Sequence, residues 1–454
     1  MTDGLPAGWT VATLGDLCEV NPRNYSVPAD DDELVSKVPM AAVEAETGRM
    51  DPSETIRYRD RKSLTPFEDN DVLFAKVTPC MENGKIALAD GLHNGKGVGS
   101  TELYVLRSLG AIEPKYLMYY LLQPGVRKRA AESMTGAVGL RRVPKNYLAN
   151  LKIPVPSLAE QRRIVSTLDA FLDRVDAAMS SIDDVKRKIK QCVDSTVDRN
   201  FNELTEKKRI GDLFKVAVGT TPSRSRSDLW EGDIPWVSSG EVSFGRISDT
   251  REKISEEGLG RRETRLHPPG TVLLAMIGEG KTRGQVAILD IHAAHNQNCA
   301  SIRVSESGYL SEFVYWYLFS RYEHNRRAAS GGNQPALNKA KVEDILIPVA
   351  QVELQRQIVS QIEGVVDRLS RIQSSVNDIE KKAEALRISI LAAAFKGELA
   401  VRDRREGLVE IALAEIRGEV MDGRRGMVLS GRDREFVPAG QSPALLAIQE
   451  ELPL

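Results

Sequence analysis

Gly278-Glu279-Gly280-Lys281-Thr282 is the segment that comes nearest to a catalytic motif, because it ends as a phosphate-binding loop ends. Such a loop needs its first glycine five positions before Gly280, and Ala275 stands there. Methyl transfer to an exocyclic amine would use Asn or Asp followed by Pro-Pro and an aromatic residue. Here Pro268-Pro269 is preceded by His267 and followed by Gly270. A metal-dependent nuclease would pair carboxylates with a nearby lysine, and Glu279 with Lys281 has that spacing inside a Gly-rich turn. Among His93, His267, His292, His295 and His324 the one close pair, His292-x-x-His295, has no further ligands in a matching pattern. Cys18, Cys80, Cys192 and Cys299 form no C-x-x-C pair, so neither a zinc site nor a disulfide framework is indicated and buried thiols are expected. The reading is a chain with no catalytic site, no metal and no cofactor of its own.

A chain of 454 residues is too long for one core and suggests about three structural units. No apolar run approaches the roughly 20 residues that span a bilayer, and Met1 to Thr10 lacks a basic segment followed by an apolar one. A cytoplasmic protein without a membrane partner is expected. The formal net charge of -2 gives no general support for a nucleic-acid partner. Charge is nevertheless segregated: Arg57 to Lys62, Arg127 to Arg142, Arg261 to Arg265 and Arg321 to Arg327 are basic, while Asp30 to Glu33 is acidic.

The elements that must carry these side chains occur twice. Ile153-Pro154-Val155-Pro156, Glu160-Gln161-Arg162-Arg163-Ile164-Val165 and Asp173-Arg174 return as Ile347-Pro348-Val349, Leu354-Gln355-Arg356-Gln357-Ile358-Val359 and Asp367-Arg368, always 194 residues later. Outside this pattern the offset drifts. Gly15-Asp16-Leu17 returns at 196, Val72 to Ala75 and Gly84 to Ala87 at 200, and Tyr120-Leu121 at 197. Drift in the globular parts and a fixed offset in the helices mean a shared scaffold with variable loops.

Each globular part reads as mixed α and β, with strands such as Thr101 to Leu106 and Val272 to Ile277. A helix follows in each, Pro114 to Gln123 and Ser311 to Ser320; its aromatics Tyr116, Tyr119, Tyr120, Tyr315, Trp316 and Tyr317 are read as core. Beyond each globular part comes a heptad helix. Leu168, Val175, Ile182 and Ile189 form one row, with Phe171, Ala178, Val185 and Cys192 three residues after each. Ile362, Leu369, Val376, Ala383 and Ile390 form the other, followed by Val365, Ile372, Ile379, Leu386 and Ala393. This is the seam of a coiled coil, about 40 residues and so roughly 60 Å long. Ser157 with Glu160 predicts a capping box for the first helix, and Gly397 a stop for the second. A globular part lies between the helices, so they can pair antiparallel with one reading head at either end; a parallel homodimer is the other arrangement.

A globular part and a heptad helix, each occurring twice, resemble the DNA-specificity subunit of type I restriction-modification systems. The resemblance covers residues 1 to about 399 and rests on the run 153–165, its copy at 347–359, and Ala394-Phe395-Lys396-Gly397-Glu398-Leu399. In the globular parts it rests on Asp71 to Pro79 with Glu82-Asn83-Gly84-Lys85, on Thr221-Pro222-Ser223, and on Asp233-Ile234-Pro235-Trp236-Val237. It implies an α+β architecture with a pseudo-two-fold internal repeat: target-recognition domain 1 at 1–150, a spacer helix at 151–205, target-recognition domain 2 at 206–344, a second spacer helix at 345–399, and a charged extension at 400–454 that matches nothing in the family. It also implies a non-catalytic subunit for a bipartite, asymmetric site on double-stranded DNA. Its partners would be two methyltransferase subunits, which use S-adenosylmethionine to methylate adenine, and restriction subunits using ATP and Mg.

For such a role Lys and Arg hold phosphates, while Arg, Asn and Gln read base edges. Four loops carry these types: Lys76 through Lys85; Gly136 through Lys145, with Arg141 and Arg142; Lys281 through Gln285, with Arg283; and Gly331 through Lys339, with Asn333, Gln334, Asn338 and Lys339. The second and fourth precede the two Ile-Pro-Val runs at comparable points. The other function class is a coiled-coil scaffold whose globular parts bind ligands or peptides.

Overall fold

The computed structural model describes residues 5–400 except 138, 261–264, 279–280, 306 and 328–335. The described residues divide into two compact units, one formed by 5–180 with 380–400, the other by 181–379. Both long helices, Leu158–Asn202 and Val352–Ala394, contribute to both units.

The two units repeat one plan. In the first, a four-stranded sheet has the order Cys18–Val20, Leu103–Ser108, Val72–Ala75, Ile86–Leu88. In the second, the order is Lys215–Val218, Cys299–Arg303, Val272–Ala275, Val286–Leu289, with Gly245–Ile247 added parallel at the edge. Val72–Ala75 and Val272–Ala275 are wholly buried apolar runs, as strands covered on both faces must be. A smaller sheet lies beside each: four strands in the first unit, around Leu34–Val38 and Lys96–Gly99, and three in the second, around Ile234–Val237.

The expected strands are found with shifted ends. The first begins at Leu103, after a turn closed by Leu103 N–H to Ser100 O at 3.1 Å. The second stops at Ala275, because Met276 N–H bonds instead to Asn298 O at 2.7 Å. The Ile-Pro-Val runs heading the repeat are not helical. Lys152–Val155 pairs antiparallel with Thr10–Thr13, and Leu346–Pro348 with Lys207–Arg209, in two-stranded ribbons whose edges tolerate proline. Helices Pro114–Leu122 and Ser311–Ser320 bury all six named aromatics.

Within each unit the long helices pair antiparallel. In the first unit, Asp176 of the first helix meets Arg387 of the second at 2.6 Å and also Arg49 of the globular part at 2.9 Å. Phe395, just beyond the second helix, lies between Tyr116 and Tyr120 with ring centroids 4.9 and 5.3 Å away. In the second unit, Ile189, Val193, Val197 and Phe201 share one core with Ile358, Ile362, Val366 and Leu369. The spacer positions Leu168, Val175, Ile182, Ile189, Ile362, Leu369, Val376 and Ile390 are all buried.

The companion row is buried as expected at Phe171 and Ile379 and differs elsewhere. Val185, Cys192, Val365 and Ile372 are half-buried, whereas Leu172, Val193 and Val366, four residues after the main row, are buried. Each helix packs on a globular part as well as on the other helix, and that widens its apolar stripe beyond a narrow a/d seam. Of the expected capping box, Glu160 N–H donates to Ser157 Oγ at 3.3 Å. Gly397 takes the left-handed φ of +74° close after the second helix ends.

Two buried glutamines, equivalent in the repeat, fasten each globular part to its helix. Gln161 Oε1 accepts Glu113 N–H, 2.8 Å away, at the entry to helix Pro114–Leu122, and its Nε2 donates to Pro156 O at 2.9 Å. Gln355 does the same with Leu310 N–H and Ala350 O, both at 2.8 Å. Neither side chain has any exposure. Losing one amide would strand buried partners at a cost of about 1–3 kcal/mol.

The second unit also buries His267 and His295, ring centroids 4.8 Å apart. His267 Nδ1 accepts from Arg303 Nε at 3.2 Å, and His295 Nδ1 donates to Asn296 O at 3.0 Å. His295 Nε2 is enclosed without a partner among the described residues. Burial pushes the first down to about 3 and the second to about 4. Both are therefore neutral when folded and take up protons on unfolding below their ordinary value of 6.5. Their contribution is present in full above pH 6.5 and falls as pH drops from 6.5 towards 4, by up to about 1.4 kcal/mol per histidine per pH unit. Acid titration followed by circular dichroism and hydrogen exchange should show the second unit opening first. Earlier opening of the first unit would contradict this.

Candidate nucleic-acid interface

The strand Val72–Ala75 delivers the chain into the loop that begins with Lys76, and Val272–Ala275 into its counterpart. Both loops return in the same way: Ala75 N–H bonds Lys85 O at 3.0 Å, and Ala275 N–H bonds Gln285 O at 2.9 Å. Gly84 and Gly284 turn at φ +69° and +88°. In the first unit the second basic loop is fastened to the first by Val143 N–H to Lys76 O at 2.8 Å and Thr78 N–H to Arg141 O at 3.1 Å. Leu337 N–H makes the equivalent bond to Met276 O, at 3.0 Å, in the second unit. Within each unit the two basic loops thus come together at their roots.

Several of the basic residues chosen from sequence have partners inside the fold. Lys76 is half-buried. Its Nζ donates to Thr101 O at 2.6 Å and lies 4.9 Å from the Tyr104 ring centre, and burial lowers its pKa. Lys85 Nζ donates to Met40 O at 2.8 Å. Arg142 forks onto Glu102, with Nε to Oε2 at 3.2 Å and Nη2 to Oε1 at 2.8 Å. Arg141 is half-buried, with Nη2 3.7 Å from Glu82 Oε1. Lys281 is exposed, its carbonyl held by Tyr322 Oη at 2.5 Å, and Arg283 is half-buried. Lys339 Nζ is 3.4 Å from Glu343. Asn338 caps helix Lys339–Glu343, its Oδ1 accepting Lys341 N–H at 2.9 Å, so the cap already uses one of its acceptor positions. Asn333 and Gln334 lie outside the described residues, as do Glu279, Gly280 and Val401–Leu454.

Arg127, part of a basic segment in the sequence, proves to be a strut. It is buried, and it bonds Glu82 O at 2.8 Å and Glu46 Oε1 at 2.5 Å. A Cβ at Gly84 would come 2.6 Å from its Nη1, so this glycine lets the loop close over the arginine. Among the described residues no group of His, Cys, Asp and Glu could hold a metal ion, and no helix is long and apolar enough to cross a membrane.

Residues 6–186 and 202–381 match the family described as the type I restriction modification DNA specificity domain. The chain belongs to this family. It is 34% identical over 227 residues to the EcoAI specificity subunit of Escherichia coli, an overlap of 48% of this chain and 38% of that protein, so the chain spans well under half of that relative. A solved chain of a type I R-M system aligns with 87% of this chain and 99% of its own length, at TM-score 0.72 and 21% identity. The HsdS subunit from Thermoanaerobacter tengcongensis aligns with 88% of this chain and all of its own length, at TM-score 0.51 and 21% identity. At these identities the two structures speak for the fold: a family member with two mixed α/β domains and an antiparallel helix pair.

The cap at Asn338 separates scaffold from reading. Asn338→Ala should destabilise the second unit by about 1 kcal/mol, and Asn338→Asp, which keeps the capping oxygen, should not. Thermal unfolding of the two variants checks this, and equal losses would contradict the cap.

Proposed function

We propose that this chain is the non-catalytic specificity subunit of a type I restriction-modification complex, and that each globular part reads one half of a split, asymmetric site on double-stranded DNA. Modification subunits dock on the paired helices, whose length sets the gap between the half-sites. Adenine methylation with S-adenosylmethionine and ATP- and Mg-dependent restriction belong to the partner subunits.

The observation that carries this reading is a shared scaffold with unlike loops. The loop roots make matching backbone bonds, yet Lys281 and Arg283 of the second half correspond in sequence to Met81 and Asn83 of the first, and Arg141 corresponds to Pro335 at the fixed offset. Different donors on the same frame suit different base edges. Membership of the DNA specificity family supports the same conclusion.

Replacing residues 206–344 with the corresponding region of a relative, in the assembled complex, should change one half of the methylated sequence and leave the other half unchanged. A change in both halves would contradict independent reading.

A further inference from the structure

The second basic loop of the first unit exposes an apolar side chain that nothing in the fold uses. Thr135 and Arg142 exchange backbone bonds, Thr135 N–H to Arg142 O at 3.0 Å and Arg142 N–H to Thr135 O at 2.8 Å, closing a short two-stranded ribbon. Its far end is a tight turn, with Leu140 N–H bonded to Ala137 O at 2.9 Å and glycines at φ +123° (Gly136) and +85° (Gly139). Leu140 stands there 69% exposed, the most exposed of the large apolar residues described. The neighbouring Arg141 and Arg142 supply positive charge beside it, and the ribbon's root is fixed to the loop at Lys76–Thr78. A lone exposed leucine on a floppy surface would call for no explanation. This one is held on a bonded ribbon, directly before Arg141 and Arg142 in the chain.

We propose that Leu140 reads a base, packing against the 5-methyl group of a thymine in the major groove of the half-site met by the first globular part. The inference rests on the DNA-reading function above and names one of its specificity residues. A two-stranded ribbon fits a major groove about 12 Å wide and not a minor groove of about 6 Å. In the major groove the thymine methyl is the apolar mark that a leucine can recognise, while the adjacent Arg141 meets a phosphate or a guanine edge. The fixed offset of 194 places Gln334 at the equivalent position of the second half, a residue type suited to adenine. The two halves would then differ in the base they select at this position.

The test uses the full chain assembled with its modification subunits and duplexes carrying its methylated sequence, with each thymine of the first half-site replaced in turn by deoxyuridine, which lacks only the methyl group. The wild-type complex should bind one of these duplexes about fourfold more weakly, the worth of roughly one buried methyl group. Leu140→Ala should bind thymine and deoxyuridine equally at that position, and Leu140→Met should restore the preference. The exposure of Leu140 means that neither change should alter thermal unfolding. A thymine preference that survives unchanged in Leu140→Ala overturns the proposal, as does a wild-type complex indifferent to the methyl group at every position. If the wild-type complex shows no sequence preference at all, DNA reading itself fails.

Discussion

Everything in this molecule depends on one apolar row. Leu168, Val175, Ile182 and Ile189 on one helix, and Ile362, Leu369, Val376 and Ile390 on the other, are buried over the length of both helices. Helices of 45 and 43 residues have little reason to stay straight and paired in water except by covering such a row. The repeat of seven keeps the row facing its partner where a pattern of 3.6 would rotate away. Each globular part is fastened to its own long helix, through Gln161 in the first unit and Gln355 in the second, whose amides bond to backbone on both sides of each joint. Polar groups there, fully paired and without exposure, fix an angle that apolar contact alone would leave adjustable.

The same frame explains why the loops can diverge. Bonds at the loop roots, such as Val143 to Lys76 and Leu337 to Met276, run between backbone atoms and place no demand on side-chain identity. Substitution at loop positions whose side chains make no bond within the fold therefore leaves the scaffold intact, and two halves built on one plan can carry different chemistry.

Much of this was legible in the sequence because its signals are local or periodic. The fixed offset marked both helices, the seven-residue rows marked their buried faces, and the aromatic helices Pro114–Leu122 and Ser311–Ser320 were correctly read as core. The illegible parts depend on distant partners. Nothing near Arg127 shows that Glu46 and Glu82 will bury it, nothing near Arg142 points to Glu102, and the Met40 carbonyl that receives Lys85 lies far back along the chain. Charge was visible, but which charges the fold would use internally was not. Proline in Ile153-Pro154-Val155 and Ile347-Pro348-Val349 could have signalled edge strands, since the helix starts only afterwards. Gln161 and Gln355 were likewise visible as matched residues, but their role emerges only once the joint is seen.

The central claim is that two dissimilar halves of one chain specify one divided DNA sequence. Mapping methylated adenines across the genome of cells that carry this gene and its modification partner, with and without a deletion of this chain, tests it most directly. The account predicts gene-dependent methylation confined to one motif made of two unlike half-sites at a constant separation. Methylation that persists without the gene, or that follows a single continuous motif, would contradict it.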